Sequence, residues 1–423
     1  MILRTRDIIE QIRQGEIPKG YIRTVSGISP TDWKPYTFGD IYTERKEPGS
    51  EELPLLMVSI HSGVSDGEVD EEELPKKVKR IEDKSQYKKA VSGDLVFNMM
   101  RAWQGAIGTV RTTGMVSPAY IVAKPNDKVY PLFMDYYTRT PQMINQINRQ
   151  SYGVTDFRKR LYWDSFAPIG CILPPIEEQR KIAAILTTQD RVIELKEKRL
   201  AEKQRQKKYL MQQLLNGKKR LPGFSEQWKK VKLGDVCVVN PPKEDDYPDV
   251  VAFLGMADIS ENGSIITEHK KNYESVKTGF TPFKRGDILI AKITPCFENG
   301  KGALTDKCSF AYGFGSTEFH VLRCKAANSK FIYYHTRTDF FRKRLEAEMV
   351  GSAGQKRVQA NSIINYAILL PPPIEQTAIA EVLSAADREI ELLQQDIEQE
   401  KEKKKALMQL LLTGIVRVKH DSF

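Results

Sequence analysis

Residues 174–217 read PPIEEQRKIAAILTTQDRVIELKEKRLAEKQRQKKYLMQQLLNG, and residues 371–414 read PPPIEQTAIAEVLSAADREIELLQQDIEQEKEKKKALMQLLLTG. Sliding the chain by 197 positions lays 178–217 over 375–414, with eighteen of 40 positions identical. Both copies open on prolines, which suit the start of a helix, and close on a glycine, which suits its end. Apolar residues recur every seven positions. The first line is Leu186, Ile193, Leu200 and Leu214, interrupted by Lys207; the second is Leu383, Ile390, Ile397 and Leu411, interrupted by Lys404. Such a line wants a helical partner. Forty helical residues make a rod of roughly 60 Å, and a lone rod leaves its seam in water. The spacing predicts two rods packed on one another. Residues 187–208 carry eight basic and four acidic side chains, and residues 384–405 five and seven. That contrast favours pairing one helix with the other over self-pairing, or else marks two solvated faces. The alternative, two unrelated surface helices, leaves the shared residues without a reason.

Outside the helices a frame repeats. Trp33-x4-Phe38-Gly39-Asp40-Ile41 matches Trp228-x4-Leu233-Gly234-Asp235-Val236. Gly93-Asp94-Leu95-Val96-Phe97 matches Gly286-Asp287-Ile288-Leu289-Ile290, and both read as strands after a glycine turn. Further strands are expected at 55–60, 120–123 and 236–239, with a helix at 132–148. Tyr136-Tyr137-Thr138-Arg139-Thr140 resembles Tyr333-Tyr334-His335-Thr336-Arg337-Thr338. A basic segment precedes each long helix, at 153–161 and 351–358. The predicted ranges are a helical stub 1–20, a first domain 21–173, a long helix 174–217, a second domain 218–370, a long helix 371–417 and a tail 418–423. The fold class is α+β, with a pseudo-twofold internal repeat. Gln11–Gly15 and Pro18–Tyr21 resemble the close of the central helix, so the stub reads as a truncated third copy and the repeat as cyclic. The content between the landmarks does not repeat. One fold carrying two loop sets suits two ligands.

Composition bounds the function. The 423 residues give room for two or three domains, and the net charge of +10 invites a polyanion such as nucleic acid. No apolar run is long enough to cross a membrane, and MILRTRD lacks the core of a secretory leader, so a cytoplasmic location is expected. Five scattered cysteines (Cys171, Cys237, Cys296, Cys308, Cys324) form no CxxC, which argues against a disulfide framework or a zinc site. No GxxxxGK[ST] loop occurs, so an ATP motor is not expected in this chain.

The two PPIEEQ/PPPIEQ-to-helix segments, the Gly-Asp-hydrophobic strands and the basic segment before each helix together resemble the specificity subunit of type I restriction-modification systems. The resemblance spans essentially the whole chain. It implies two target recognition domains, each reading one half of a bipartite DNA site. It implies an antiparallel pair of helices as the spacer. It also implies partners: double-stranded DNA, two modification (methyltransferase) subunits that use S-adenosylmethionine to methylate adenine, and motor-nuclease restriction subunits that use ATP and Mg²⁺. The subunit itself carries no catalytic site, cofactor or metal.

Arg and Lys suit guanine edges and phosphates; Asn and Gln suit adenine. In the first domain the expected DNA contacts are Arg101, Trp103 and Gln104 after the strand, with Tyr152, Arg158, Lys159 and Arg160. In the second they are Lys292, Thr294, Asn299 and Lys301, with Gln355, Lys356 and Arg357. Ser59, His61 and Ser62, aligned roughly with Asp258, Ser260 and Asn262, are further candidates. Lys159-Arg160 and Lys356-Arg357 recur at the helix offset, which suggests a common phosphate role. Two patterns imitate chemistry. Asn240-Pro241-Pro242-Lys243 resembles a methyltransferase corner but lacks its aromatic residue, and reads as a proline turn. Pro248-Asp249…Glu268-His269-Lys270 fits a loose nuclease pattern that would hold Mg²⁺, with no counterpart in the first domain. The rival readings are a subunit of another methylating endonuclease, a coiled-coil scaffold whose heads bind protein, and that nuclease.

Overall fold

The computed structural model describes residues 5–24, 27–60, 63–65, 86–155, 158–352 and 354–418. The chain divides into two compact units: residues 1–196 with 396–423 (unit 1), and residues 197–395 (unit 2). The two long stretches are helices, Ile176–Leu214 and Pro373–Leu412, of 39 and 40 residues. Each gives one half to each unit.

Within unit 1 the halves run antiparallel. Lys196 pairs with Asp396 and Glu400 at 2.8 Å each, and the Gln189 amide donates to Glu400 at 2.6 Å. The Lys196 ammonium holds the Glu400 carboxyl down at about 2. Within unit 2 the first long helix again supplies the cations: Lys203 pairs with Glu389 at 2.9 Å, and Lys207 with Asp387. Leu186, Ile193, Leu214, Leu383, Ile397 and Leu411 are buried, whereas Leu200 and Ile390 are half-buried.

Each domain is closed by pairing an early strand, just after the tryptophan of its entry motif, with its last strand. Lys34–Thr37 runs antiparallel to Gly170–Leu173, and Lys229–Lys232 to Ala367–Leu370. One helical turn follows, Phe38–Ile41 or Leu233–Val236. Its aspartate, Asp40 or Asp235, accepts from the backbone N–H three residues earlier, at 2.7 and 2.8 Å. Gly234 is needed there because a Cβ would lie 2.7 Å from Ile364. A four-stranded antiparallel sheet then forms in the same order in both units. In unit 1 it is Tyr42–Glu44, Tyr120–Pro125, Leu95–Asn98 and Ile107–Thr109; in unit 2, Cys237–Val239, Phe319–Cys324, Ile288–Ala291 and Gly302–Leu304. Unit 2 adds a mixed four-stranded sheet, His269–Asn272, Val250–Leu254, Tyr312–Gly315 and Thr281–Lys284.

The cores join each domain to its helix ends. Phe38, Phe97, Phe133 and Phe166 pack with Ile182, Leu186, Leu411 and Leu412 in unit 1. Phe297, Phe331 and Phe341 pack with Leu214, Leu215, Ile379 and Leu383 in unit 2. Each such side chain contributes about 1.5–3 kcal/mol when fully buried.

Three expectations change. The helix expected at 132–148 is two, Pro131–Tyr137 and Pro141–Gln150. Pro141 cannot continue the first, and Thr140 caps the second. The run 55–60 yields only the two-residue strand Val58–Ser59, and 236–239 starts as a strand at Cys237, after the helical turn. The repeat does close on itself, but through the C-terminal helix rather than the N-terminal one. Gly217 sits against Trp228 in unit 2, and Gly414 sits against Pro30 and Trp33 in unit 1. The Tyr21 hydroxyl donates to the Gly414 carbonyl at 3.0 Å. The stub is a separate short helix, Thr5–Arg13.

Candidate functional site

Three anchors recur in both units and explain the identities in the helix repeat. Buried Glu178 accepts from the Trp33 indole (3.3 Å) and the Arg417 guanidinium (2.7 and 2.8 Å). Buried Glu375 accepts from the Trp228 indole (2.9 Å) and Arg220 (2.5 and 2.7 Å). Gln179 donates to the Pro174 carbonyl and accepts from the Tyr130 N–H (2.8 Å), while Gln376 donates to Pro371 and accepts from Asn328 (2.8 Å). The Tyr136 and Tyr334 hydroxyls donate to Asp190 and Asp387, each at 2.7 Å. Lys404 and Lys207, which interrupt the seams, reach those same aspartates from the other helix and lie over the tyrosine rings at 5.5 and 5.8 Å.

On this frame the loops are assembled. In unit 1 the strand Leu95–Asn98 leads into a 3₁₀ turn, Ala102–Gln104. Leu161 N–H donates to the Met99 carbonyl at 2.9 Å, which ties the pre-helix segment to this loop. Tyr152 and Arg160 pair through their backbones at 3.0 and 3.1 Å. The Trp103 indole donates to Met100 (3.0 Å), and its ring carries the Lys159 ammonium at 5.1 Å. Lys159 also donates to Asn148 (3.0 Å), and half-buried Arg160 to the Lys159 carbonyl (2.9 Å). Arg101, Gln104, Tyr152 and Arg158 are exposed.

In unit 2 the strand Ile288–Ala291 leads into the loop 292–301. Val358 N–H donates to the Lys292 carbonyl (2.9 Å), and Thr294 N–H to the Lys356 carbonyl (3.0 Å). So in each unit the two sequence-distant candidate segments are joined by equivalent bonds. Lys292 donates to the Thr317 carbonyl (2.7 Å), and burial pulls its ammonium below the usual lysine range. Lys301 donates to the Met256 carbonyl (2.9 Å), and exposed Asn299 to Glu261 (2.9 Å). Thr294 is buried, and its hydroxyl has no partner among the described residues. Arg357 grips Glu318 at 2.9 and 3.0 Å, which holds that carboxyl below its ordinary range. Gln355 and Lys356 are exposed.

Beneath this junction lies His320. Its Nε2 donates to the Val358 carbonyl (2.9 Å) and its Nδ1 accepts from Asn240 (3.0 Å). Burial keeps the ring neutral, pushing it down to about 4. Asn240 therefore belongs to a turn, at φ +53, that closes the strand before it. Glu268 caps the Ser309 N–H (2.9 Å), and the Asp258 carboxylate accepts from His269 (2.9 Å) and from Gly255 N–H (2.6 Å). Ser260 donates to the Ser264 carbonyl at 3.0 Å, Asn262 is exposed, and Ser59 is half-buried. His61 and Ser62 lie outside the described residues. Among the described residues no group of three His, Cys, Asp or Glu side chains is placed to hold a metal, and no helix is long and apolar enough to cross a membrane. Glu318, Glu261, Arg337 and Arg342 support the loops, a role the sequence does not show; Arg337 is visible there only as part of the segment that repeats Tyr136–Thr140.

Fold and loops together define a duplicated-domain protein, in which one scaffold on two long helices carries two unlike sets of polar loops. The chain belongs to the family of the type I restriction modification DNA specificity domain, whose model matches residues 75–204 and again 225–402. It is 37% identical over 164 residues to the type I restriction enzyme EcoEI specificity subunit and 39% over 175 residues to that of EcoAI, both from Escherichia coli; each match covers 38% of this chain. The matches span 27% and 30% of those relatives, less than a third of their length. Against the type I restriction enzyme MjaVIII specificity subunit of Methanocaldococcus jannaschii it is 25% identical over 93% of this chain and 95% of the relative. Two solved structures share the fold. A chain from work on complex assembly and conformational transition of the type I R-M system has a TM-score of 0.55 at 17% identity, covering 92% of this chain and 99% of that one. The S subunit of a type I system from M. genitalium has a TM-score of 0.54 at 11% identity, over 90% and 96%.

Proposed function

We propose that this chain is the DNA-reading subunit of a type I restriction-modification complex, each domain recognising one half of a bipartite asymmetric site. One observation carries the reading: Leu161 to Met99 and Val358 to Lys292 are equivalent bonds joining equivalent segments, with unlike residues exposed around them. A shared frame positions; unlike edges specify. Arg101, Gln104, Tyr152 and Arg158 in unit 1, and Asn299, Gln355 and Lys356 in unit 2, face solvent and are the groups for DNA. Trp103, Lys159, Arg160, Lys292, Thr294, Lys301 and Arg357 hold the loops. The helix pair sets the unread spacer and docks two modification subunits. Methyl transfer from S-adenosylmethionine belongs to those subunits, and ATP- and Mg²⁺-dependent translocation and cleavage to restriction subunits; this chain supplies no catalytic group.

The test is reconstitution with modification subunits and long-read mapping of methylated adenines. The expected product is a bipartite motif with a fixed gap. Exchanging residues 21–173 for those of a relative changes one half-site only. Lengthening both helices in concert changes the gap only; altered half-sites with an unchanged gap refute the spacer role. A chain that never co-purifies with a modification subunit is a scaffold of another kind.

A further inference from the structure

The loop 292–301 of unit 2 is held by two arginines whose guanidinium groups are bonded to carbonyls rather than carboxylates. Arg342, on the helix Asp339–Ala347, donates to the carbonyls of Phe297 (2.9 Å), Gly300 (3.1 Å) and Thr336 (2.9 Å). Its guanidinium also lies over the Phe297 ring, 4.9 Å from the centroid. Arg337 donates to the same Gly300 carbonyl and to that of Glu261 (2.7 Å). The Glu261 side chain in turn accepts from the Asn299 amide. Gly300 stands at φ +81, so its left-handed backbone aims the shared carbonyl at both cations.

This is a costly way to fill space. Burial and the neighbouring Arg337 charge pull the Arg342 guanidinium below the ordinary arginine range. Unit 1 solves the same packing without charge. There Ile144, on the helix Pro141–Gln150, packs against the turn at Gly105, its Cδ1 3.0 Å from where a Cβ on Gly105 would lie. Arg139, at the position of Arg337, pairs instead with Asp135 at 3.0 Å. The fold therefore does not require a cation at 342.

We propose that Arg342, with Arg337, is a positioning residue for base recognition by unit 2. Its rigid fork fixes the Phe297 and Gly300 carbonyls, and so fixes where the intervening Asn299 presents its amide to DNA. This rests on the DNA-reading role proposed above. An apolar side chain at 342 fills the volume but leaves the backbone of 297–301 free to shift, and a reader displaced by a fraction of an ångström loses discrimination before it loses affinity.

The experiment uses the complete chain with modification subunits, comparing wild type with Arg342→Lys, which keeps charge and stem, and Arg342→Met, which keeps only the stem. Methylated adenines are mapped across a genome, and amide exchange is followed. In both variants we expect the unit 1 half-site and the gap unchanged, while at one or more positions of the other half-site discrimination falls about tenfold, the scale of one lost bidentate contact. Amides 299–301 exchange faster and strand Ile288–Ala291 stays protected. An unaltered half-site in both variants overturns the proposal, as does lost protection across the unit 2 core, which would make the arginine a folding element alone. A wild-type complex that methylates no bipartite site sinks the underlying reading, and this proposal with it.

Discussion

Units 1 and 2 agree where they face the helices and disagree where they face outward. The anchors Glu178/Glu375, Gln179/Gln376 and Asp190/Asp387 have equivalent partners: an indole, a backbone N–H and a tyrosine hydroxyl. Away from the helices the solutions diverge even where the problem is shared. Buried Asp94 and Asp287 begin equivalent strands, yet Arg45 neutralises the first at 2.7 Å and Arg323, from a different strand, the second at 2.9 Å. The loops rest on Ile144 in one unit and Arg342 in the other. A helix face is a fixed partner and tolerates one answer; a buried charge needs only some counter-charge, and a loop needs only some support.

The sharpest attack on the shared half is Glu375→Ala against Glu178→Ala. Each removes a buried carboxylate that an indole and a guanidinium share, at a cost of about 3–5 kcal/mol. Denaturant unfolding followed unit by unit through amide exchange should show equal losses, each confined to its own unit. A loss under about 1 kcal/mol in either breaks the equivalence.

Acid probes the divergent half. His320 and His335 are buried in unit 2 and held neutral by burial, both at about 4 against an ordinary value of 6.5. Between those values the unfolded chain binds more protons than the folded one. Stability is therefore complete above about 6.5 and falls as pH drops toward 4, by about 2 kcal/mol per histidine at pH 5. The described residues of unit 1 contain no histidine. Exchange protection of unit 2 should fall first on acidification; simultaneous loss in both units contradicts this.

The helices and their anchors were legible because a seven-residue period and a 197-residue offset survive in one dimension. The lysines in the seam read only as interruptions: antiparallel pairing sets Lys207 against Asp387 and Lys404 against Asp190, and separation along the chain does not show that. The proline at 141 was visible, yet a continuous apolar pattern masked the break it causes. The loop supports were illegible for a different reason. Arg342 follows buried Phe341 in an ordinary amphipathic helix, and only the fold brings it to the Gly300 carbonyl. Tyr136→Phe and Tyr334→Phe test the legible part at lower cost. Each removes one bond to a charged acceptor and should cost about 1–2 kcal/mol in its own unit, read by thermal unfolding; a much larger loss in one would mean that its lysine pairing fails as well.

The smallest effect is the most discriminating. Lys159 and Lys356 sit at the same offset and suggest the same phosphate role. Yet Lys159 lies over Trp103 and bonds Asn148, whereas no partner is recorded for the exposed Lys356 ammonium among the described residues. A cation already engaged has less to gain from a phosphate. Lys356→Ala should weaken binding equally on all sequences and flatten the salt dependence by about one counterion. Lys159→Ala should leave that slope nearly intact and instead loosen Trp103, shifting preference in the unit 1 half-site. Titrations at several salt concentrations on matched and mismatched duplexes separate the two. If Lys356→Ala alters base preference, or Lys159→Ala flattens the slope as much, the two basic segments are equivalent after all, and the divergence between the units does not extend to their phosphate contacts.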